Sequence, residues 1–198
     1  MNMFNTEDFD YFYTKNPNSK YSASLLNFYL TNVSHLVKRN FNVLEVGSGP
    51  FSVFEDVDDP IRTITAIDFS KVAIESAPKS KINYLQVSLL DKSFFNVPSY
   101  DLVFDSHCLN CIPAHQFEIA LKNIFKVIKP SGIFASEIMV QPTRKKVSCS
   151  QKTILECREI ESMLIKAGFN IYFFTVSSTN NFEVNGFSVD LLRFIAIK

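Results

Sequence analysis

The chain has 198 residues, 46% hydrophobic and 20% charged, with Lys plus Arg and Asp plus Glu at 20 each. That composition can bury one sizeable core, and its balanced charge creates no net field to draw the protein to nucleic acid or an anionic membrane. The N-terminus lacks a basic start followed by an apolar run, no stretch stays apolar for the roughly 18 residues of a membrane span, and Cys108, Cys111, Cys149 and Cys157 are too scattered for a disulfide scaffold. A cytoplasmic protein with reduced thiols and one domain over 1–198 is expected.

Residues 1–21 are rich in Phe and Tyr, and the spacing of Leu25, Phe28, Tyr29, Val33 and Leu36 predicts a helix over 22–38. Strands are expected near 42–47, 63–68, 83–88 and 100–106, with short helices between them. Phe117, Leu121, Ile124, Phe125 and Ile128 share one face of a helix over 114–128, which Lys129-Pro130-Ser131-Gly132 ends. A buried strand follows over 133–140, then a helix over 153–167 that stops at Gly168. Two β-rich runs, 170–177 and 187–197, close the chain, with Asn180, Asn181 and Gly186 in the turn region between them. Alternating strands and helices imply a parallel sheet covered on both faces. Five βα units and a terminal pair joined without a helix place the last strand antiparallel within the sheet.

The run Val43-Leu44-Glu45-Val46-Gly47-Ser48-Gly49-Pro50-Phe51 carries the strongest chemical signal. An apolar strand enters a glycine pair, and residues without Cβ atoms let backbone N–H groups approach a nucleotide-type ligand closely. A dinucleotide-binding loop would place its third glycine at position 52, where Ser52 stands, so the nicotinamide oxidoreductase pattern is incomplete. Glu45, two places before Gly47, is the extra element. About twenty residues on, a second β-rich run ends in Asp68, at the spacing that binds ribose hydroxyls. Asp68-Phe69-Ser70 is also ordinary helix-start chemistry, and both readings stand.

With Tyr100-Asp101-Leu102-Val103 opening the fourth strand and Lys129-Pro130-Ser131-Gly132-Ile133 before the fifth, these features resemble the class I S-adenosylmethionine-dependent methyltransferases over roughly 40–198. The resemblance implies a doubly wound α/β fold: a seven-stranded, mostly parallel sheet in the order 3-2-1-4-5-7-6, with the last strand antiparallel and helices on both faces. It makes residues 1–40 a helical cap and 41–198 the Rossmann-like core. It implies S-adenosylmethionine as cofactor and S-adenosylhomocysteine as product. Glu45 would order the glycine loop and face the methionine end. The backbone of Val46, Gly47, Ser48 and Gly49 would meet methionine and ribose, Asp68 the ribose hydroxyls, and Phe69 one adenine face. Leu89, Leu90 and Asp91, after Ser88, would flank the other face, and Asp105 and Ser106 would border the cofactor. Phe51 departs from the family's third glycine, and Ser88-Leu89 from its small-residue and Asp pair.

Asp105-Ser106-His107-Cys108-Leu109-Asn110-Cys111 lies where that family brings cofactor and acceptor together. His107 is the candidate catalytic residue, because imidazole titrates near neutral pH and can take an acceptor's proton; a packed, hydrogen-bonded histidine is the other reading. His107-Cys108-x-x-Cys111 has no second ligand pair at matching spacing, so no metal is expected. The Asn/Asp-Pro-Pro-Tyr signature of base methylation is missing. Arg144-Lys145-Lys146 would attract an acidic acceptor or form a solvated surface. Phe4, Phe9, Tyr11, Phe12, Tyr13 and Tyr21 would close over the cofactor as a lid or pack the first helix on the sheet. The expected activity is methyl transfer to an O or N nucleophile of a small molecule, with neither nucleic acid nor membrane as partner. A protein methyltransferase or an inactive cofactor-binding protein is the alternative.

Overall fold

The computed structural model describes residues 6–38, 40–58, 60–142, 152–184 and 187–198. Helix α1 (Thr6–Lys15) precedes α2 (Ala23–Phe28), which runs on as a π turn, Tyr29–Val33, and a 3₁₀ turn, Ser34–Leu36. The sheet comprises β1 (Phe41–Val46), β2 (Ile61–Asp68), β3 (Asn83–Gln86), β4 (Tyr100–Ser106), β5 (Ile128–Val140), β6 (Asn170–Val184) and β7 (Phe187–Ile197). Its helices are α3 (Lys71–Ser76), α4 (Phe117–Val127) and α5 (Cys157–Ala167). Strand order is β3-β2-β1-β4-β5-β7-β6, the expected one. The pairs from β3 to β5 are parallel, and β7 lies antiparallel between β5 and β6.

Strand residues alternate between two cores, because successive side chains point to opposite faces. Leu44, Val103, Phe134 and Ala196 meet Phe117, Leu121 and Ile124 of α4 and Ile160 and Leu164 of α5. Their neighbours Val43, Leu102, Ala135 and Ile195 meet Leu25 and Phe28 of α2, with Tyr29 and Val33 just beyond. Both faces are thus covered, and the strand ends carrying Val46, Asp68 and Ser106 are left to build a site.

Several expectations change in detail. The aromatic N-terminus contains a helix, α1, that its weak apolar periodicity did not announce. The helix over 22–38 keeps only one α-helical segment, since the Thr31 and Ser34 hydroxyls donate to the carbonyls of Asn27 and Leu30, four residues back, where the coil widens and then tightens. No helix joins β3 to β4: Asp91 accepts from the Ser93 N–H and hydroxyl, holding a turn there. Residues 128–132 belong to β5, and Ser131 has a φ of 62° as its N–H reaches the Lys198 carbonyl. Helix α5 begins at Cys157, not 153, because Glu156 and Glu159 form a capping box there. Asn180 and Asn181 lie within β6 rather than in the turn, and Gly186 lies outside the described residues.

Candidate functional site

The glycine loop leaves β1 across the end of β2. Gly47 and Ser48 both donate to the Ile67 carbonyl, at 2.8 and 3.2 Å. Gly47 has a φ of 73° and Gly49 of 58°, a left-handed backbone that side chains disfavour. A Cβ on Gly47 would lie 2.5 Å from Cys108 Cβ, and one on Gly49 2.9 Å from the Tyr13 hydroxyl oxygen. The glycines thus form a cradle that packs directly against Cys108 and Tyr13 and that any side chain would disrupt. The buried Asp68 carboxylate accepts from Gly49 N–H at 3.0 Å and Ser70 N–H at 2.9 Å, while the Ser70 hydroxyl caps α3. Asp68 therefore ties the glycine loop to the helix start, and the N-cap itself is Ser70. Burial raises its pKa above the ordinary carboxylate value, against the pull of those backbone donors.

Glu45 is fully buried. It accepts from Ser52 Oγ, from the Val53 N–H at 3.2 Å and from Ser106 Oγ at 2.6 Å, so it clamps the far end of the glycine loop to the end of β4. Burial pushes this carboxyl up to about 7, despite those three donors. Val46 and Ser48 are buried beside it. Phe51 is half-buried, with the Lys20 ammonium 5.7 Å from its ring centre.

Helix α1 lies over this loop. The Phe9 and Phe69 rings meet edge to face at 4.9 Å. Asp10 accepts from Ser70 Oγ at 2.5 Å and from the Val72 N–H at 3.2 Å, and Tyr13 sits against Gly49. Of the predicted lid aromatics, Phe9 and Tyr13 face the loop, whereas Tyr11 and Phe12 are exposed. Tyr21 donates to Asp56, and Phe4 lies outside the described residues. Burial drives the Tyr13 hydroxyl's pKa upward, with Asp68 adding to it, so Tyr13 stays protonated.

After β3, Leu89 is buried in the core and its carbonyl accepts from Asn123, while Leu90 N–H donates to Ser88 Oγ. Asp91 is exposed, its carboxylate held on Ser93 and its pKa lowered by those bonds.

Asp105 anchors the segment that follows β4. Its buried carboxylate accepts from the Leu109 N–H at 3.1 Å and Ser136 Oγ at 2.7 Å, and burial raises it to about 6. His107 has a φ of 65°, uncommon for a residue with a side chain, and turns its Nε2 to within 3.1 Å of Glu137 Oε1. Glu137 also accepts from Ser24 Oγ at 2.6 Å and Arg193 Nε at 2.7 Å. Neither Glu137 nor its two other partners was among the predicted site residues. The one available signal was a glutamate inside the apolar run 133–140, since a buried charge needs partners. Burial pushes Cys111 up to about 11 and Cys108 further, which leaves both thiols un-ionised. Arg144-Lys145-Lys146 and Cys149 lie outside the described residues.

Residues 37–178 match the family model described as a methyltransferase domain. No curated protein matches the chain. Among solved structures, it resembles the 1,6-didemethyltoxoflavin-N1-methyltransferase of Burkholderia thailandensis, crystallised with 1,6-didemethyltoxoflavin and S-adenosylhomocysteine, at TM-score 0.74 and 16% identity over 98% of this chain and 86% of that one. An S-adenosylmethionine-dependent methyltransferase of Methanosarcina mazei aligns at 0.68 and 16%, over 85% and 97% of the two chains. The [4+2]-cyclase SpnF aligns at 0.73 and 16%, over 85% and 79%. At such identities the likeness establishes the fold, and the domain match establishes the family. With its sheet order, its glycine cradle and that match over more than two thirds of its length, the chain belongs to the class I S-adenosylmethionine-dependent methyltransferases.

Proposed function

We propose that the protein methylates an O or N nucleophile of a small molecule, with His107 as the base that takes the acceptor's proton. The observation that carries this reading is the roof over the glycine loop: Phe9, Asp10 and Tyr13 of α1 lie on Phe69, Ser70 and Gly49, a covering that suits a closed pocket for a small acceptor better than an open groove for a protein chain. A small-molecule methyltransferase among the similar structures supports it. Bound S-adenosylmethionine supplies a methyl group already activated on a sulfonium, so the protein's task is to position the nucleophile and exclude water. Gly47, Ser48 and Gly49 would hold the methionine and ribose, Asp68 the ribose hydroxyls, and Phe69, Leu89 and Leu90 the adenine, within a single domain capped by residues 1–40.

Calorimetric titration with S-adenosylmethionine and S-adenosylhomocysteine tests the cofactor residues. Binding at roughly micromolar Kd is expected, and Asp68→Ala should weaken it by about 100-fold, near 2.7 kcal/mol. Unchanged affinity in that variant would remove Asp68 from the site. Screening small hydroxyl and amine compounds with methyl-labelled cofactor then tests the acceptor class; label found only in added protein would sink it.

Removing residues 1–21 tests the roof. The truncated chain should keep its sheet by circular dichroism and bind S-adenosylhomocysteine about tenfold more weakly, with release faster in proportion. Normal affinity would mean that α1 only packs on the domain.

A further inference from the structure

Glu137 occupies an unusual position for a carboxylate. Its side chain is wholly buried in the middle of the sheet, where Ser106 of β4, Glu137 of β5 and Arg193 of β7 stand side by side in register. Arg193 and Ser24 already satisfy it: Nε of Arg193 donates at 2.7 Å, Ser24 Oγ at 2.6 Å, and Arg193 Nη2 closes the triangle on Ser24 Oγ at 2.7 Å. One arginine neutralises one carboxylate, so burial of Glu137 needs no third donor. The bond from His107 is in excess of that need, and it is made by a residue held in a left-handed backbone conformation, which costs free energy.

The chemistry of the bond decides which nitrogen of His107 is available. Burial works to raise the pKa of Glu137, but the donors from His107, Ser24 and Arg193 outweigh it and hold the group below its ordinary value. Glu137 is therefore ionised, and an ionised carboxylate can only accept. The shared proton sits on Nε2, and in the neutral imidazole Nδ1 is then the basic nitrogen. Among the described residues no hydrogen bond is made to Nδ1. Next in the chain, Cys108 packs against Gly47, which puts His107 beside the cofactor loop.

We infer that Glu137, clamped by Arg193 and Ser24, is a positioning residue that fixes His107 as the Nε2–H tautomer and strengthens Nδ1 as the base for an acceptor whose nucleophile arrives carrying a proton. The step balances simply: the acceptor's bond to hydrogen breaks, the proton goes to Nδ1, and the electron pair stays on the acceptor atom, leaving an imidazolium paired with the Glu137 carboxylate. The inference rests on the reading of His107 as the acceptor's base. Other charged or titratable groups near the ring are Asp105 from β4, Arg193 through Glu137, and the un-ionised thiols of Cys108 and Cys111.

Nitrogen-15 NMR of the full-length chain, with its three histidines assigned, reads this directly. The wild type at pH 8.5 should show His107 neutral and protonated at Nε2. Glu137→Gln should lower the pKa of His107 by about one to two units, leave His35 and His115 where they were, and allow the other tautomer to appear. Glu137→Asp, which keeps the charge, should restore part of the shift. A ring still doubly protonated at pH 8.5 would make the contact a structural ion pair, and an Nδ1–H tautomer in the wild type would assign the base to the wrong nitrogen; either overturns the inference without any variant having to fold. An unchanged His107 pKa in a folded Glu137→Gln protein overturns it as well. Titration of the wild type with S-adenosylhomocysteine stands apart, since failed binding there would strike the cofactor assignment and leave the histidine result intact.

Discussion

Gly47→Ala is expected to lower the melting temperature by about 5–15 °C and to weaken S-adenosylmethionine binding by about 100-fold. Two costs add at this position. A left-handed φ of 73° costs an alanine about 1–2 kcal/mol, and its methyl would meet Cys108 Cβ at 2.5 Å and Cys108 Cα at 3.0 Å. Both atoms are fixed by the backbone of the segment after β4 and cannot rotate away, so overpacking adds about 1–3 kcal/mol. For a chain of this size each kcal/mol lowers the melting temperature by about 2–4 °C. The displaced segment carries His107, and the displaced loop donates Gly49 N–H to Asp68, so the two sides of the proposed site move together. Calorimetric melting and titration measure both effects. Adding Cys108→Gly should recover part of the loss by removing the nearer atom, while full stability in the single variant would show that the loop has room.

Lowering the pH from 7.5 to 5 should make the protein more stable, by several kcal/mol. Glu45 is raised from 4.5 to about 7 and Asp105 from 3.8 to about 6 in the folded state, both because burial disfavours the charge. In the unfolded chain they return to ordinary values. Between roughly pH 4.5 and 7 the native state therefore holds more protons than the unfolded one, and the free energy of unfolding falls as pH rises. At about 1.36 kcal/mol per pKa unit, Glu45 accounts for about 2–3 kcal/mol between pH 5 and 7.5 and Asp105, whose window closes near pH 6, for about 1–1.5 kcal/mol. Asp68 is shifted in the same direction. Glu137 and Asp101 are shifted downward, so their stabilisation is present above the unfolded carboxylate value and is lost only below it, outside this window. Urea unfolding at pH 5 and 7.5 checks the sign. Glu45→Gln should remove about two thirds of the difference, and a midpoint that rises with pH would mean that both carboxyls are ionised in the native protein.

How much of this was legible beforehand depended on whether the signal was local. The glycine pair was readable because a left-handed turn demands glycine from the chain itself, and Asp68 because its distance from the loop is set by one βα unit. The helix near 117–127 was readable because Phe117, Leu121 and Ile124 repeat at helical spacing on a buried face. Helix α1 escaped because its inward residues are few: Phe9, Asp10 and Tyr13 find their partners 36 to 62 residues along the chain, at Gly49, Phe69, Ser70 and Val72. The break in the helix over 22–38 escaped for the opposite reason, since Thr31 and Ser34 compete for carbonyls with hydroxyls that a hydrophobic pattern ignores.

By itself the sequence determined the βα alternation and the helix-free terminal pair, from which the family resemblance implied the strand order, and the glycine turn after β1, through residues whose backbone demands are their own. Only the tertiary structure decided what surrounds His107. Glu137 reaches it from β5 across 30 residues, Arg193 reaches Glu137 from β7 across 56, and Ser24 from α2 across 113. A buried charge is stable only among partners that converge on it in space, and convergence of that kind arises from the pairing of β4, β5 and β7 and leaves no spacing in the chain to read.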